Sequence, residues 1–409
     1  MPIEDLKHII CFEHEKLLFD IHIEEERKLY AVLEAYHGDY TPFFKLIRNG
    51  VQFCEYVGVL QVGNSIIEVL PKADKSRNAV VWQNILINMI RSVWGFSVQN
   101  SGSSDLKLKH NSVLDLYFEL FVKELVSLLH QGLIKKYIRQ EQQAKALKGK
   151  LLFSKQLQYN LIHKERFLIE STVYTVQHQL HQIIYAALLL VQKLNKNVLL
   201  ASRIGNLLLN FPEQEKIKVN RKTFDCLRYD RKSQVYKGIM DIAELILLNY
   251  HPDITRGRRH ILALMFDMNA LWEQFVLGLL RKSLRDYKVS GQVTRRFWKA
   301  ESLSSTMRPD IVIYSKDSTV VMDTKWKNLN GKSPSPDDLR QMFVYHEYFE
   351  ANKVVLLYPG EGDILKGQYY LKDQSDFDEK HCHILQIPAV KDFVVWKSKI
   401  VESVIKSIL

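Results

Sequence analysis

The chain has 409 residues, 46% of them hydrophobic, enough for two or three domains with a core each. Its longest apolar run, residues 183–191, is broken by Gln192 and Lys193 and is too short to span a bilayer, and the first residues do not form a signal peptide. The four cysteines (Cys11, Cys54, Cys226, Cys382) make no CxxC pair, which argues against a zinc ribbon or disulfide framework; a cytoplasmic protein is expected, and the formal charge of +11 favours a polyanionic partner.

The segment to about residue 75 reads as β-rich. Residues 51–57 and 58–62 are strand-like, and Gly63-Asn64 before Ile66-Ile67-Glu68-Val69-Leu70 signals a hairpin that Pro71 ends. From 78 to about 134 the apolar spacing turns helical, through Val81, Ile85, Met89 and Val93 and then Leu116, Leu120, Leu125 and Leu128, with Ser101-Gly102-Ser103-Ser104 between. Short strand-like pieces at 151–153 and 167–170 lead to helices near 177–194, 198–209 and 236–248, completing a mostly helical middle region, 76–255. The last region, 256–409, is expected to run helix (261–285), strand (289–298), two strands flanking Lys316, helix (336–350) and strand (354–358), an α-β-β-β-α-β order. Its second helix has Ser335 as N-cap, Pro336 at the first helical position, and Asp337 and Asp338 against the helix dipole. Clusters that suit a phosphate backbone are Lys148-Gly149-Lys150, Arg256-Gly257-Arg258-Arg259 and Arg295-Arg296-Phe297-Trp298-Lys299, unless they are merely solvated faces.

The sharpest signal is Arg308-Pro309-Asp310-Ile311-Val312-Ile313-Tyr314, a turn, then Thr319-Val320-Val321-Met322-Asp323-Thr324-Lys325-Trp326-Lys327. A hairpin symmetric about the Lys316-Asp317 step sets Asp310 opposite Asp323, where two like charges are destabilising unless a cation neutralises them. Lys325, two residues beyond Asp323, projects from the same face. Two carboxylates and a lysine suit phosphodiester hydrolysis: the oxygens select Mg²⁺, and the lysine orients or helps deprotonate the attacking water or stabilises the pentavalent phosphate. The bland alternative is an edge hairpin with exposed charges, and a bulge would break the pairing.

Pro309-Asp310, twelve intervening residues and Asp323-Thr324-Lys325 resemble the PD-(D/E)XK nuclease motif, and the α-β-β-β-α-β order resembles that superfamily's core. Glu273 on the preceding helix, and Gln341 with Tyr345 as a QxxxY pair on the following one, resemble its RecB-like branch. The resemblance implies that Glu273 is a further metal-side carboxylate and that Gln341 and Tyr345 contact DNA or brace the site. The alternatives are a solvated position for Glu273 and core packing for Tyr345.

Three more stretches are similar to the McrC family, the nuclease subunits of McrBC restriction systems: residues 56–63 with Ile67-Glu68-Val69-Leu70-Pro71-Lys72, Leu147-Lys148-Gly149-Lys150-Leu151-Leu152-Phe153, and 268–276. This implies an α+β or α/β multidomain chain: a β-rich N-terminal part (1–75) docking on and stimulating a hexameric McrB-like AAA+ GTPase, the helical middle, and a nuclease domain (256–409) cutting double-stranded, modified DNA with Mg²⁺. The chain reads as somewhat long for the family, so an added segment is expected in the middle or at the C-terminus. Two rival readings are a regulatory AAA+ ring activator with weak nuclease activity, and a stand-alone RecB-like repair nuclease. Gly58-Val59-Leu60-Gln61-Val62-Gly63-Asn64-Ser65 lacks the P-loop lysine, so no nucleotide is expected on this chain, and His381-Cys382-His383 offers too few ligands for zinc.

Overall fold

The computed structural model describes residues 8–38, 41–63, 65–72, 78–93, 113–251, 261–301, 303–315, 318–362, 364–371 and 376–408. Asn64, the 101–104 separator, the 256–259 cluster and the Lys316-Asp317 step lie outside them. The chain divides into two compact units, Met1–Leu108 with Met265–Leu409, and Lys109–Leu264.

The first unit begins with β1 (His8–Phe12), β2 (Lys16–Leu18), α1 (Glu24–His37), β3 (Phe44–Ile47), β4 (Gly50–Phe53), β5 (Tyr56–Val62), β6 (Ser65–Leu70) and α2 (Ala79–Val93). The expected hairpin is β5–β6, with Val62 opposite Ser65 and Gly63 at φ +58°, and β1 adds in parallel to β6. Among the described residues the near-P-loop stretch is thus a hairpin, not a strand–loop–helix. Helix α1 interrupts the expected β-rich stretch; its first turn is Glu24, Glu25 and Glu26, a favourable set against the helix dipole.

The second unit holds α3 (Val113–Gln131), β7 (Lys136–Ala144), β8 (Lys150–Leu151), α4 (Phe153–Tyr159), β9 (Phe167–Thr175), α5 (Gln179–Leu194), α6 (Val198–Asn210), α7 (Arg221–Asp225), α8 (Lys237–Leu248), β10 (Tyr250–His251) and most of β11 (Ile261–Asp267). Its long helices follow the apolar periodicity. In the β7-β9-β8 sheet the strand-like pieces expected at 151–153 and 167–170 meet β8 and β9, while β7, largely exposed and polar, had no hydrophobic signature to betray it.

The chain returns to the first unit with α9 (Met268–Ser283), β12 (Lys288–Gly291), β13 (Arg295–Lys299), β14 (Ser304–Met307), β15 (Ile311–Tyr314), β16 (Thr319–Thr324), α10 (Pro336–Tyr348), β17 (Lys353–Pro359), β18 (Leu365–Tyr370), β19 (Phe377–Ile387) and α11 (Phe393–Ile408). Two expectations are corrected here. Residues 261–267 form a strand, and the helix starts only where the Asp267 carboxylate caps the N–H groups of Asn269 and Ala270. The single strand expected at 289–298 is two, β12 and β13, divided at Gln292 with φ +51°. Between β12 and β15 of the main sheet a separate two-stranded ribbon, β13–β14, is inserted.

The main sheet of this unit has the order β12-β15-β16-β17-β19-β18, parallel through β16, β17 and β19 and antiparallel elsewhere. Val312, Val321, Val354, Leu356 and Tyr358 on one face pack with Met342, Tyr345 and Phe349 of α10 and its end. The intervening residues Ile311, Ile313, Val320, Met322, Val355 and Leu357 are also buried, so both faces are covered, as parallel strands require. Gly291 lets Leu277 of α9 lie where a Cβ would stand, drawing that helix onto β12.

Candidate active site

The β15–β16 ladder pairs Ile311 with Met322 and Tyr314 with Thr319, the register expected from symmetry about the Lys316-Asp317 step. One step beyond its last pair, Asp310 meets the end of β16 through its side chain: Oδ2 accepts from the Thr324 N–H at 2.7 Å and from Thr324 Oγ1 at 2.9 Å. Asp323 is 2% exposed, and period-2 alternation sets it on the face of Val321, beneath α10.

Lys325 Nζ lies 2.8 Å from Asp323 Oδ2, so the buried carboxylate oxygen is ion-paired to the ammonium. Gln341 of α10 ties the group together. Its Nε2 reaches Asp323 Oδ1 at 3.3 Å and the Tyr345 hydroxyl at 2.8 Å, while its Oε1 accepts from Lys325 Nζ at 3.3 Å. The i, i+4 spacing of Gln341 and Tyr345 thus turns both toward the carboxylates; Tyr345 combines this with core packing.

The electrostatics follow from burial. Desolvation, then repulsion from Asp310, raises the Asp323 pKa, and desolvation raises that of Asp310 against the two Thr324 hydrogen bonds and Lys325. For Lys325 burial works to discharge the ammonium, but pairing with Asp323 outweighs it and holds the pKa above its ordinary value. Glu273 is half-buried on α9, its pKa raised by desolvation and then by Asp310, and its Oε1 accepts from Gln292 Nε2 at 2.8 Å. Gln292 closes the circle, its backbone N–H donating to the Asp310 carbonyl at 2.9 Å.

Several residues of this region carried no sequence signal of a place at the site. Gln292 is one. Lys327, Asp338 and Tyr358 form another set: Asp338 Oδ2 accepts from Lys327 Nζ at 2.6 Å and from the Tyr358 hydroxyl at 3.0 Å. Burial works against the Asp338 charge, but hydrogen bonds from Lys327, Ser335 and Tyr358 hold its pKa low. The Trp326 indole donates at 2.8 Å to Glu13, which follows β1, and Glu13 Oε1 also accepts from the Lys72 N–H at 2.6 Å. Trp326 in turn meets Trp82 and Trp272 edge to face.

No group of three or more His, Cys, Asp or Glu side chains among the described residues is arranged to hold a metal, His381-Cys382-His383 included. Magnesium needs less, since it binds through one or two carboxylates and keeps several waters. The donor set here is all oxygen, and the neighbouring Asp310 and Asp323 carboxylates, both raised in pKa by burial, lack water around them and so favour a cation between them. The residues fit that ion.

A family profile described as McrBC 5-methylcytosine restriction system component matches residues 51–359. The chain belongs to the McrBC family. The matched span takes in Glu273, Asp310, Asp323, Lys325, Gln341 and Tyr345 and leaves Glu13 outside. Among solved structures, the fold is similar to that of a chain in the refined half-complex from the tetradecameric assembly of Thermococcus gammatolerans McrB AAA+ hexamers with bound McrC. The TM-score is 0.70 at 19% identity, covering 98% of this chain and 100% of that one. A second likeness, to a chain of the cryo-EM structure of the Thermococcus gammatolerans McrBC complex, has a TM-score of 0.51 at 20% identity and covers 68% of this chain and 88% of that one. No curated protein matches the sequence. The near-complete coverage leaves no added segment to distinguish this McrBC family member from the first of those chains. No helix among the described residues is long and apolar enough to cross a membrane.

Proposed function

We propose that this chain is the DNA endonuclease subunit of a modification-dependent, McrBC-like restriction system, cutting double-stranded DNA with Mg²⁺ when assembled with a McrB-like AAA+ GTPase hexamer that it also stimulates. The observation that carries the reading is the cluster at the ends of β15 and β16: two buried carboxylates of raised pKa, one of them ion-paired at 2.8 Å to a lysine on the same strand end. The run of α9, β12, β15, β16, α10 and β17 around it supports a PD-(D/E)XK core, with the β13–β14 ribbon as an insertion. Family membership, and a fold like that of a chain from a complex containing McrB hexamers, support the partner; docking is assigned to residues 1–75.

Asp310 and Asp323 would hold the metal. When bound, Mg²⁺ supplies positive charge against the phosphoryl oxygens and makes water a stronger acid. Thr324 holds Asp310 through two hydrogen bonds, so this carboxylate needs no reorganisation to serve as a ligand. The Lys325 ammonium lies 2.8 Å from Asp323, where a cation can orient the attacking water or stabilise the negative charge of the pentavalent phosphate. Gln341 fixes the Asp323 carboxylate and the Lys325 ammonium relative to each other, a positioning role. Glu273 stands beside Asp310 as an accessory carboxylate, its pKa raised by burial and then by that neighbour.

The test is plasmid cleavage with Mg²⁺ by the unmodified chain and by Asp323→Asn, each with and without the AAA+ protein encoded beside it plus nucleotide. Partner-dependent cutting that falls to background in Asp323→Asn is expected. Cutting without the partner would mean a stand-alone nuclease. Stimulation of the partner's nucleotide hydrolysis without any cutting would mean a regulatory ring activator, and undiminished cutting by Asp323→Asn would dismiss this active site.

A further inference from the structure

Both ends of the β13–β14 ribbon are rooted in the candidate site. At its start Gln292 donates to the Asp310 carbonyl at 2.9 Å and to Glu273 at 2.8 Å; at its end the buried Met307 leads through Arg308 and Pro309 to Asp310. The root is clamped to α10: Arg295 donates to the Tyr348 carbonyl and lies over the Phe349 ring, and Phe297 meets Tyr348 edge to face. Beyond that clamp the ribbon serves no core. All five residues of β13 are exposed, as are Ser304, Ser305 and Thr306 of β14. Trp298 is 54% exposed, and beyond the backbone pairing of the ribbon neither its side chain nor those of Arg296 and Lys299 make a hydrogen bond, ion pair or ring contact with any described residue. From Thr294 to Met307 the sequence has three cations, and its one acid is Glu301 in the connection.

We propose that the β13–β14 ribbon is a DNA-gripping arm: Arg296 and Lys299 contact backbone phosphates and Trp298 lies against the sugar–base wall of the duplex within half a turn of the scissile phosphate. This rests on the nuclease reading. A two-stranded ribbon is narrow enough to enter the major groove, cations on it gain affinity by releasing counterions, and an exposed indole gives a flat apolar surface for stacking or wedging. Trp298 pairs with Ser305, five residues before Asp310, so extended chain places it within about 17 Å of the site. At ~3.4 Å per nucleotide along one strand, that reach is about five nucleotides, half a helical turn from the cut. The protein partner has less in its favour, since protein interfaces deplete lysine and serine and surround an indole with apolar neighbours, whereas Trp298 stands among Lys299, Ser304 and Ser305.

The experiment measures binding of the full chain to a 5′-labelled duplex in Ca²⁺, so that DNA is held uncut, across a salt series. For the double variant Arg296→Ala/Lys299→Ala, affinity about tenfold lower and a log–log salt slope smaller by about two are expected, the mark of two lost phosphate contacts. Trp298→Ala is expected to weaken binding several-fold with the salt slope unchanged, because it removes stacking and no charge. Binding equal to that of the unmodified chain in both variants would overturn the arm, as would no duplex binding by the unmodified chain. Unchanged DNA binding with lost association to the AAA+ partner would overturn it too, by making the ribbon a protein-docking surface. The two ideas fail separately: a chain that binds the duplex in Ca²⁺ but never cuts it in Mg²⁺ with its partner loses the nuclease reading, and ribbon variants that bind as the unmodified chain does lose the arm.

Discussion

Two neighbouring hairpins, β13–β14 and β15–β16, use charge in opposite ways. The second is buried on both faces, and its charges sit at the end of the ladder, desolvated and bound to one another: Asp310 to Thr324, Asp323 to Lys325, and both Asp323 and Lys325 to Gln341. The first is exposed along β13, and Arg296 and Lys299 make no such bonds among the described residues. Burial is what converts a carboxylate into a reactive or metal-seeking group, because a charge that has lost its water must find a partner or take up a proton. Exposure leaves a cation fully hydrated and free to meet a phosphate. The same residue types therefore carry chemistry in one hairpin and suit contact in the other.

The contrast predicts a graded series of effects. Replacing the buried Lys325 by Met removes a preorganised cation and should lower the single-turnover cutting rate about 10²- to 10³-fold, with duplex affinity in Ca²⁺ nearly unchanged. An equal loss in affinity and in rate would mean that Lys325 only binds DNA. Gln341→Ala should cost less, about tenfold to a hundredfold in rate, since the groups it positions remain. Because the variant frees Asp323 and Lys325 to move, its Mg²⁺ requirement should rise as well, measured as the concentration giving half-maximal cutting. A variant that cuts at the normal rate and metal concentration would reduce Gln341 to core support.

A smaller effect tests burial far from the chemistry. Desolvation pushes Glu13 from its ordinary 4.5 up to about 7, in spite of the donors from Lys72 and Trp326. The folded chain then holds this proton more tightly than the unfolded one. The resulting stability is fully present below about pH 4.5 and is lost as pH rises through about 7. Glu13→Gln keeps an acceptor for the Trp326 indole and cannot ionise, so it should melt at a higher temperature than the unmodified chain at pH 8, by about 1 kcal/mol of stability, and gain little at pH 5. The gain is modest because the amide adds a buried N–H in need of an acceptor. Parallel melting curves for the two proteins from pH 5 to 8 would show that Glu13 is not buried as described.

Features that depend on neighbours in sequence were readable in advance. The β5–β6 and β15–β16 hairpins announced themselves by turn residues and alternation, and α10 by Ser335, Pro336, Asp337 and Asp338, with Ser335 Oγ accepting from the Asp338 N–H at 3.1 Å. Where the same local evidence is ambiguous the reading failed. Ile261–Asp267 is an apolar run that suits a buried strand or a helix start equally, although Asp267 before Met268-Asn269-Ala270 was an available cap signal. The exposed strands β7 and β13 had no apolar pattern to mark them as separate elements.

The sequence by itself determined that Asp310, Asp323 and Lys325 share the end of one hairpin, because strand register is set by a short turn and a period of two. Only the tertiary structure decided what surrounds them: Glu273 and Gln292 beside Asp310, Gln341 between Asp323 and Lys325, and Glu13 against the Trp326 indole, partners 313 residues apart in that last pair. Such meetings depend on which faces of α9, α10 and the sheet must be buried together, a property of the whole core that no local spacing records.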